Sequence, residues 1–157
     1  HRAIESAKGV LLEYANDIYL YADNYKGKES GEASGYGLTL VAETTTGCVY
    51  SAEMMAQKYQ LPEDLGVDTA KMLLSEVLQP GCVDSVSQSM MLLLMAVGPE
   101  EISKIKVGKL TPYSIEMLRH IKQFFGLAFK IEPDTDSNCV LLTCLGVGFK
   151  NISRRVG

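Results

Sequence analysis

"KVGKLTPYSIEMLRH", residues 106–120, is the stretch on which the reading of the chain turns. It begins at the end of an alternating run in which Ile105 and Val107 are set against Lys104 and Lys106, the period of a strand with one polar face. After Gly108, Lys109 and Leu110 the pattern changes to helical. Thr111 is a good cap, because its hydroxyl can accept an otherwise orphaned N–H of the first turn. Pro112 suits the first helical position, since the N–H it lacks would have had no partner there. Ile115, Leu118, Ile121 and Phe125 are expected to form the helix's inner stripe. A basic strand end feeding a helix N-terminus is a frame for catalysis, and Tyr113 stands where a nucleophile is expected. A phenol titrates near pH 10, so it is a poor nucleophile at neutral pH without help, and only Lys106 and Lys109 are close in sequence. The alternative is a packing residue of the first helical turn.

Upstream, "VDSVSQSMMLLLMAVG" (83–98) offers Asp84 or Ser85 as a cap. Its run Met90–Val97 is apolar on every side and predicts a buried helix. The polar opening Asp84, Ser85, Ser87, Gln88 and Ser89 reads either as capping or as an anion contact at a helix N-terminus. "LPEDLGVDTAKMLLSEVLQPG" (61–81) predicts another helix, started by Pro62 with Glu63 and Asp64 in its first turn and ended by Pro80-Gly81. Downstream, "LAFKIE" and "NCVLLTCLGVG" read as strands around a polar turn at Asp134–Asn138. The N-terminal part reads as a helix ("RAIESAKGVLLEYA"), a strand ("DIYLYAD"), a flexible loop at 24–35, and two strands joined near Thr45-Thr46-Gly47. The fold class expected is α+β, a mixed sheet packed by helices.

Composition narrows the function less than the fold. Residues 1–103 carry 6 basic and 15 acidic side chains, residues 104–157 carry 9 and 4. The basic third suits an anionic partner, RNA or an acidic protein surface, or is a solvated edge. Its candidates are Lys104, Lys106, Lys109, Arg119, Lys122, Lys150, Arg154 and Arg155. Cys48, Cys82, Cys139 and Cys144 form no C-x-x-C and have no histidine to complete a zinc set, so no metal is expected. They read as reduced thiols; Cys139 and Cys144, five apart on one strand, point to opposite faces and are not expected to pair. "GYG" (35–37) and "GVG" (146–148) match no phosphate loop and read as places of close backbone approach. His1 and His120, and the carboxylate pairs Glu63-Asp64 and Glu100-Glu101, form no recognisable catalytic set. The longest apolar run is far short of the roughly 20 residues of a membrane span, so no membrane contact is expected. A chain that begins at His1 within a helical pattern is expected to be a fragment.

Taken together, "GYGLTLVAETTTGCVYSAE", "LPEDLG", "GCVDS", "SKIKVGKLTPYSIEMLRHIKQFFGLAFKIE" and "VLLTCLGVGFKN" resemble the RNA 3′-terminal phosphate cyclase family, over nearly the whole chain. Within it they are most similar to the eukaryotic cyclase-like branch of ribosome biogenesis. The resemblance implies the C-terminal part of a longer chain, with residues 1–58 part of an inserted small domain and 59–157 the last repeat of the cyclase-type domain. In the true cyclases a histidine in a T-x-H context takes up the nucleotide. Here Thr111 and Pro112 fill the T-x and Tyr113 takes the histidine's place. Of the nucleotide pocket's polar pattern, Asp84 and Gln88 keep the character. The resemblance therefore implies a non-catalytic protein with no cofactor. It would work in the nucleolus as part of the small-subunit processome, bind a GTPase and pre-ribosomal RNA or particles, and support pre-rRNA processing and 40S subunit formation. The alternative is an RNA-processing enzyme, either a pre-rRNA endonuclease or a residual cyclase.

Overall fold

The computed structural model describes residues 1–33 and 35–150. The chain divides into two compact units, His1–Leu78 and Gln79–Gly157, each with its own core. Both mix helices with antiparallel sheet, as the α+β reading expected.

The first unit is built from α1 (Arg2–Leu11), the hairpin of β1 (Gly37–Glu43) and β2 (Val49–Met55), and α2 (Pro62–Leu78). A short 3-10 turn, Gly27–Ser30, interrupts the loop that precedes β1. The hairpin turns where Gly47 adopts φ 82°, a conformation open to glycine at no steric cost. Thr44 closes the turn: its N–H donates to the Cys48 carbonyl at 2.8 Å, and its Oγ1 accepts from the Cys48 N–H at 2.9 Å. Leu40, Tyr50 and Ala52 turn inward to meet Ala7 of α1 and Ala70 and Leu73 of α2. The helices approach so closely that a Cβ on Gly66 would lie 2.2 Å from the Ala3 carbonyl oxygen. At the rim of this contact the Arg2 guanidinium donates to both carboxylate oxygens of Glu63, at 2.5 and 2.9 Å.

Two expectations change here. "DIYLYAD" is not a strand: the sheet of this unit holds β1 and β2 alone among the described residues. The alternation is nonetheless real in burial, since Leu20 packs on the core while Tyr19 and Tyr21 are exposed. Without a neighbouring strand it makes no ladder. The compact units also divide after Leu78, not after residue 58. The buried face of α2 (Leu65, Gly66, Ala70, Leu73) closes the core of the first unit, so this helix stays with α1 and the hairpin.

The second unit runs α3 (Gln88–Val97), β3 (Ile102–Val107), α4 (Pro112–Phe125), β4 (Lys130–Asp134) and β5 (Cys139–Leu145). Its sheet has the order β3-β5-β4, antiparallel throughout, with Ile105 opposite Leu142 and Leu142 opposite Ile131. Leu92 and Ala96 of α3 and Ile121 of α4 pack on Ile105, Val107 and Leu142. α3 is not buried all round, as its uniform apolarity suggested. Met90 is 57% and Leu94 53% exposed, because only one side of the helix meets the sheet and α4. The inner face of α4 is also rotated from the expected stripe. Ser114, Met117, Leu118 and Ile121 face inward, and Ile115 and Phe125 sit at the rim.

"GVG" does bring backbones together. A Cβ on Gly146 would lie 2.1 Å from the Pro99 carbonyl oxygen. The N–H groups of Val147, Gly148 and Phe149 donate to the carbonyls of Ala96, Gly98 and Val97 at 2.8, 2.8 and 3.2 Å. They thereby satisfy carbonyls at the C-terminal end of α3 that the helix itself leaves without donors. All four cysteines are free thiols, and Cys139 and Cys144 are buried without a disulfide between them. No described helix is long and apolar enough to cross a membrane.

Candidate functional site

The site forms where β3 hands over to α4. Gly108 passes the Pro80 carbonyl so closely that a Cβ would lie 2.3 Å from it, and Cys82 N–H donates to the Lys106 carbonyl at 3.0 Å. These contacts fix the end of β3 against the Pro80–Cys82 segment. Thr111 then caps α4 from an extended conformation (φ -75°, ψ 156°), its Oγ1 accepting the Ser114 N–H at 3.1 Å. Gly126 ends the helix in the left-handed region, φ 67°, and its N–H donates to the Lys122 carbonyl.

Gln88, the first residue of α3, is 2% exposed and joins the two helices. Its Nε2 donates to the Lys109 carbonyl at 3.2 Å. Its Oε1 accepts from the Thr111 N–H at 3.2 Å and from the Ser114 hydroxyl at 3.0 Å. Ser114 has one hydroxyl proton and gives it to Gln88, so in the 2.9 Å contact between the two hydroxyls Thr111 is the donor. Asp84, also buried, accepts the Ser87 N–H at 2.7 Å and organises the turn before α3. Both residues read as the remnant of a nucleotide pocket are buried and carry structural bonds, Asp84 within the turn before α3 and Gln88 between the two helices. Tyr113 is 81% exposed on the first turn of α4. Its neighbour Ser114, not singled out from the sequence, is the buried member of this turn. The signal that could have found it is the T-P-x-S spacing, which places a second hydroxyl at the third helical position, where the capping threonine reaches.

The basic candidates separate. Lys104 and Lys106 share the outward face of β3, opposite the buried Ile105 and Val107. Lys106 is not free: its Nζ lies 2.5 Å from Asp134 Oδ2 on β4. Hydrogen bonds from Lys106 and from the Ser137 hydroxyl hold the Asp134 carboxyl down at about 2, and the same partnership raises the Lys106 ammonium. Arg119 pairs with Glu116 on the same helix. Lys104, Lys109, Lys122 and Lys150 are exposed and make no ion pair among the described residues. Arg154 and Arg155 lie outside the described residues.

Residues 1–78, the whole of the first unit, match the insert domain of RNA 3′-terminal phosphate cyclase. The chain belongs to the RNA 3′-terminal phosphate cyclase family. Among relatives, it is 53% identical to a probable RNA 3′-terminal phosphate cyclase-like protein of Dictyostelium discoideum, over 98% of this chain and 46% of that protein. It is 46% identical to the human RNA 3′-terminal phosphate cyclase-like protein, over 98% of this chain and 44% of that one. It is 38% identical to a Schizosaccharomyces pombe protein named rRNA processing protein rcl1, over 99% and 43%. The chain therefore spans less than half the length of these cyclase-family relatives, and the names of the first two carry the suffix "-like".

Proposed function

We propose that this protein is a non-catalytic, cyclase-like component of the small-subunit processome. It supports pre-rRNA processing and 40S subunit biogenesis in the nucleolus by binding a GTPase and pre-ribosomal particles. The second unit is, in this reading, the last repeat of the cyclase-like domain. The observation that carries the proposal is the closed polar network under Tyr113. Gln88, Thr111 and Ser114 bond to one another and to the backbone, so their polar atoms are engaged in holding two helices. Above them the group in the nucleophile's place is an exposed phenol. Nucleophilic catalysis needs an activating base or a lowered pKa at the attacking atom, and Tyr113 sits beside Pro112 and Ser114, neither of which is a base. The cyclase-like names of the relatives, and the rRNA processing name of one of them, point the same way.

The experiment has two arms on the full-length protein. Incubation with labelled ATP, divalent metal and an RNA 3′-phosphate is expected to give neither an adenylylated protein nor a cyclic phosphate. In cells depleted of the protein, precursors of the small-subunit RNA are expected to accumulate, and a Tyr113→Phe copy is expected to restore their maturation. An adenylyl mass shift on Tyr113, or failure of Tyr113→Phe to rescue, would overturn the proposal.

A further inference from the structure

At the C-terminal end of α4 the structure gathers aromatic rings and cations in a way that the capping network does not require. Phe149 follows the "GVG" segment whose backbone is bonded to the end of α3, so its position is set by three hydrogen bonds of the segment 147–149. Its ring meets Phe125 edge to face, centroids 6.4 Å apart and planes at 76°. The pair is not buried: Phe149 is 69% exposed. Lys122 lies three residues before Phe125, on the neighbouring part of the same helix face, and Lys150 follows Phe149 directly. Both lysines are exposed and make no ion pair among the described residues.

An exposed, braced aromatic ring between free cations is poorly explained by folding alone. Edge-to-face packing on Phe125 uses the rim of one ring, and 69% exposure leaves much of the Phe149 surface to solvent. Unpaired nucleobases stack on such faces whatever their identity, while lysines track the phosphates between them. Two helix C-termini lie nearby, and their negative ends would oppose a phosphate. Here the Gly126 N–H takes up the Lys122 carbonyl of α4, and the 147–149 N–H groups take up those of Ala96, Val97 and Gly98 at the end of α3. Glu100 is the opposing charge: its carboxylate oxygen would lie 3.1 Å from a Cβ on Gly148.

We infer that Phe149 and Phe125, with Lys122 and Lys150, form a stacking platform for single-stranded RNA. The inference deepens the proposed function by naming what the protein touches in a pre-ribosomal particle, and rests on that reading only for the choice of RNA. Duplex RNA is a poor fit, because its bases are stacked on one another and closed to an intruding ring.

These 157 residues contain no tryptophan, so the signal of a tryptophan placed at 149 is read as the difference between the Phe149→Trp and wild-type full-length proteins. With a fluorescein-labelled, unstructured oligouridylate and the full-length protein, anisotropy is expected to report binding at low salt. Phe149→Ala is expected to weaken it about tenfold, the range of one lost base stack. Phe149→Trp is expected to bind as the wild type does, and its fluorescence to be quenched by the oligonucleotide. Lys122→Glu and Lys150→Glu are each expected to lower the salt slope by roughly 0.7, one phosphate contact on a single strand. Glu100→Gln is expected to tighten binding. Circular dichroism of each variant checks the fold, and Phe149→Leu keeps apolar volume at the position if Phe149→Ala unfolds. Absence of oligouridylate binding by the wild type, equal affinity of Phe149→Leu, or an unquenched tryptophan would overturn the platform. So would capture of an acidic peptide in place of RNA by the same residues. Loss of the platform with normal rRNA maturation in cells removes this site and leaves the proposed function standing. The reverse result separates the two in the other direction.

Discussion

In the first unit α1 and α2 meet where side chains are missing. In the second, α3 and the start of α4 meet through a side chain that crosses between them. Gly66 lets the backbone of α1 come to it, and Ala3, Ala7 and Ala70 keep the rest of that contact small. Gln88 instead spans its gap and supplies bonds to Lys109, Thr111 and Ser114. The first arrangement gains dispersion energy over a close surface and asks little of polar geometry. The second places polar groups in the interior, where they stabilise only while every partner is present. The difference teaches where the chain is brittle: the first unit fails by added volume, the second by a lost hydrogen bond.

Gln88→Leu is therefore expected to be the most damaging single change. It keeps apolar volume but strands the Lys109 carbonyl, the Thr111 N–H and the Ser114 hydroxyl inside the protein. A cost of about 3–5 kcal/mol is expected, since each unsatisfied buried group costs roughly 1–3. Urea unfolding of the full chain checks it. Tyr113→Ala, two residues from the cap, is expected to stay within about 0.5 kcal/mol, because its ring is exposed. A large loss at Tyr113 with a small one at Gln88 would invert the reading of the whole site. Gly66→Ala comes next, at about 1–3 kcal/mol, because the added methyl would run into the Ala3 backbone rather than a movable side chain. Its loss should appear in the unfolding of the first unit, followed by exchange of the α1 and α2 amides.

What the sequence made legible divides along the same line. The hairpin and the start of α4 rest on neighbours in the chain: Gly47 in its turn, Thr111 and Pro112 at the head of the helix. Such signals act over a few residues and survive any tertiary context. Misreadings came where the partner is remote. "DIYLYAD" has strand alternation, but a strand is completed by a neighbour, and none lies beside it among the described residues. α3 is apolar all round, and that pattern says nothing about which side is covered. Gln88 was visible as a polar residue opening an apolar helix, yet its partners lie 21 to 26 residues away. Lys106 read as a free cation because Asp134 reaches it only across the sheet. The close contact at Gly66 left no mark, since a glycine within a helical pattern looks the same whether or not another backbone presses on it.

Thr111→Ala tests the boundary between the local and the remote. As a cap alone it is expected to cost about 1 kcal/mol. Its hydroxyl also donates to Ser114, whose own proton goes to Gln88, so the loss should propagate. Thr111→Ser keeps both bonds and is expected to be near neutral. In a double-mutant cycle, Thr111→Ala and Gln88→Leu are expected to be less damaging together than the sum of the two, because they break one shared network. Strict additivity would show that the cap and the crossing side chain act independently.

The smallest effect expected is at the Lys106–Asp134 pair, and its value lies in its sign. The Asp134 carboxyl is held at about 2 by the hydrogen bonds of Lys106 and Ser137, below the value near 3.9 of a free aspartate. A carboxylate with a depressed folded-state value binds its proton more weakly folded than unfolded. Its contribution is therefore complete above about pH 4 and is lost as the pH falls towards 2. Asp134→Asn is expected to lower stability slightly at pH 7, by the small amount that exposure and salt screening leave to the pair, and to match the wild type near pH 2, so that the acid limb of the stability–pH profile flattens in that window. The substitution also frees Lys106 on the outward face of β3, beside Lys104. If that face meets phosphate, Asp134→Asn should tighten oligouridylate binding. If the aromatic end of α4 is the contact, affinity should stay as it was while the acid limb flattens. Neither tightening nor flattening would mean that Lys106 is already free in solution and that the ion pair does not persist there.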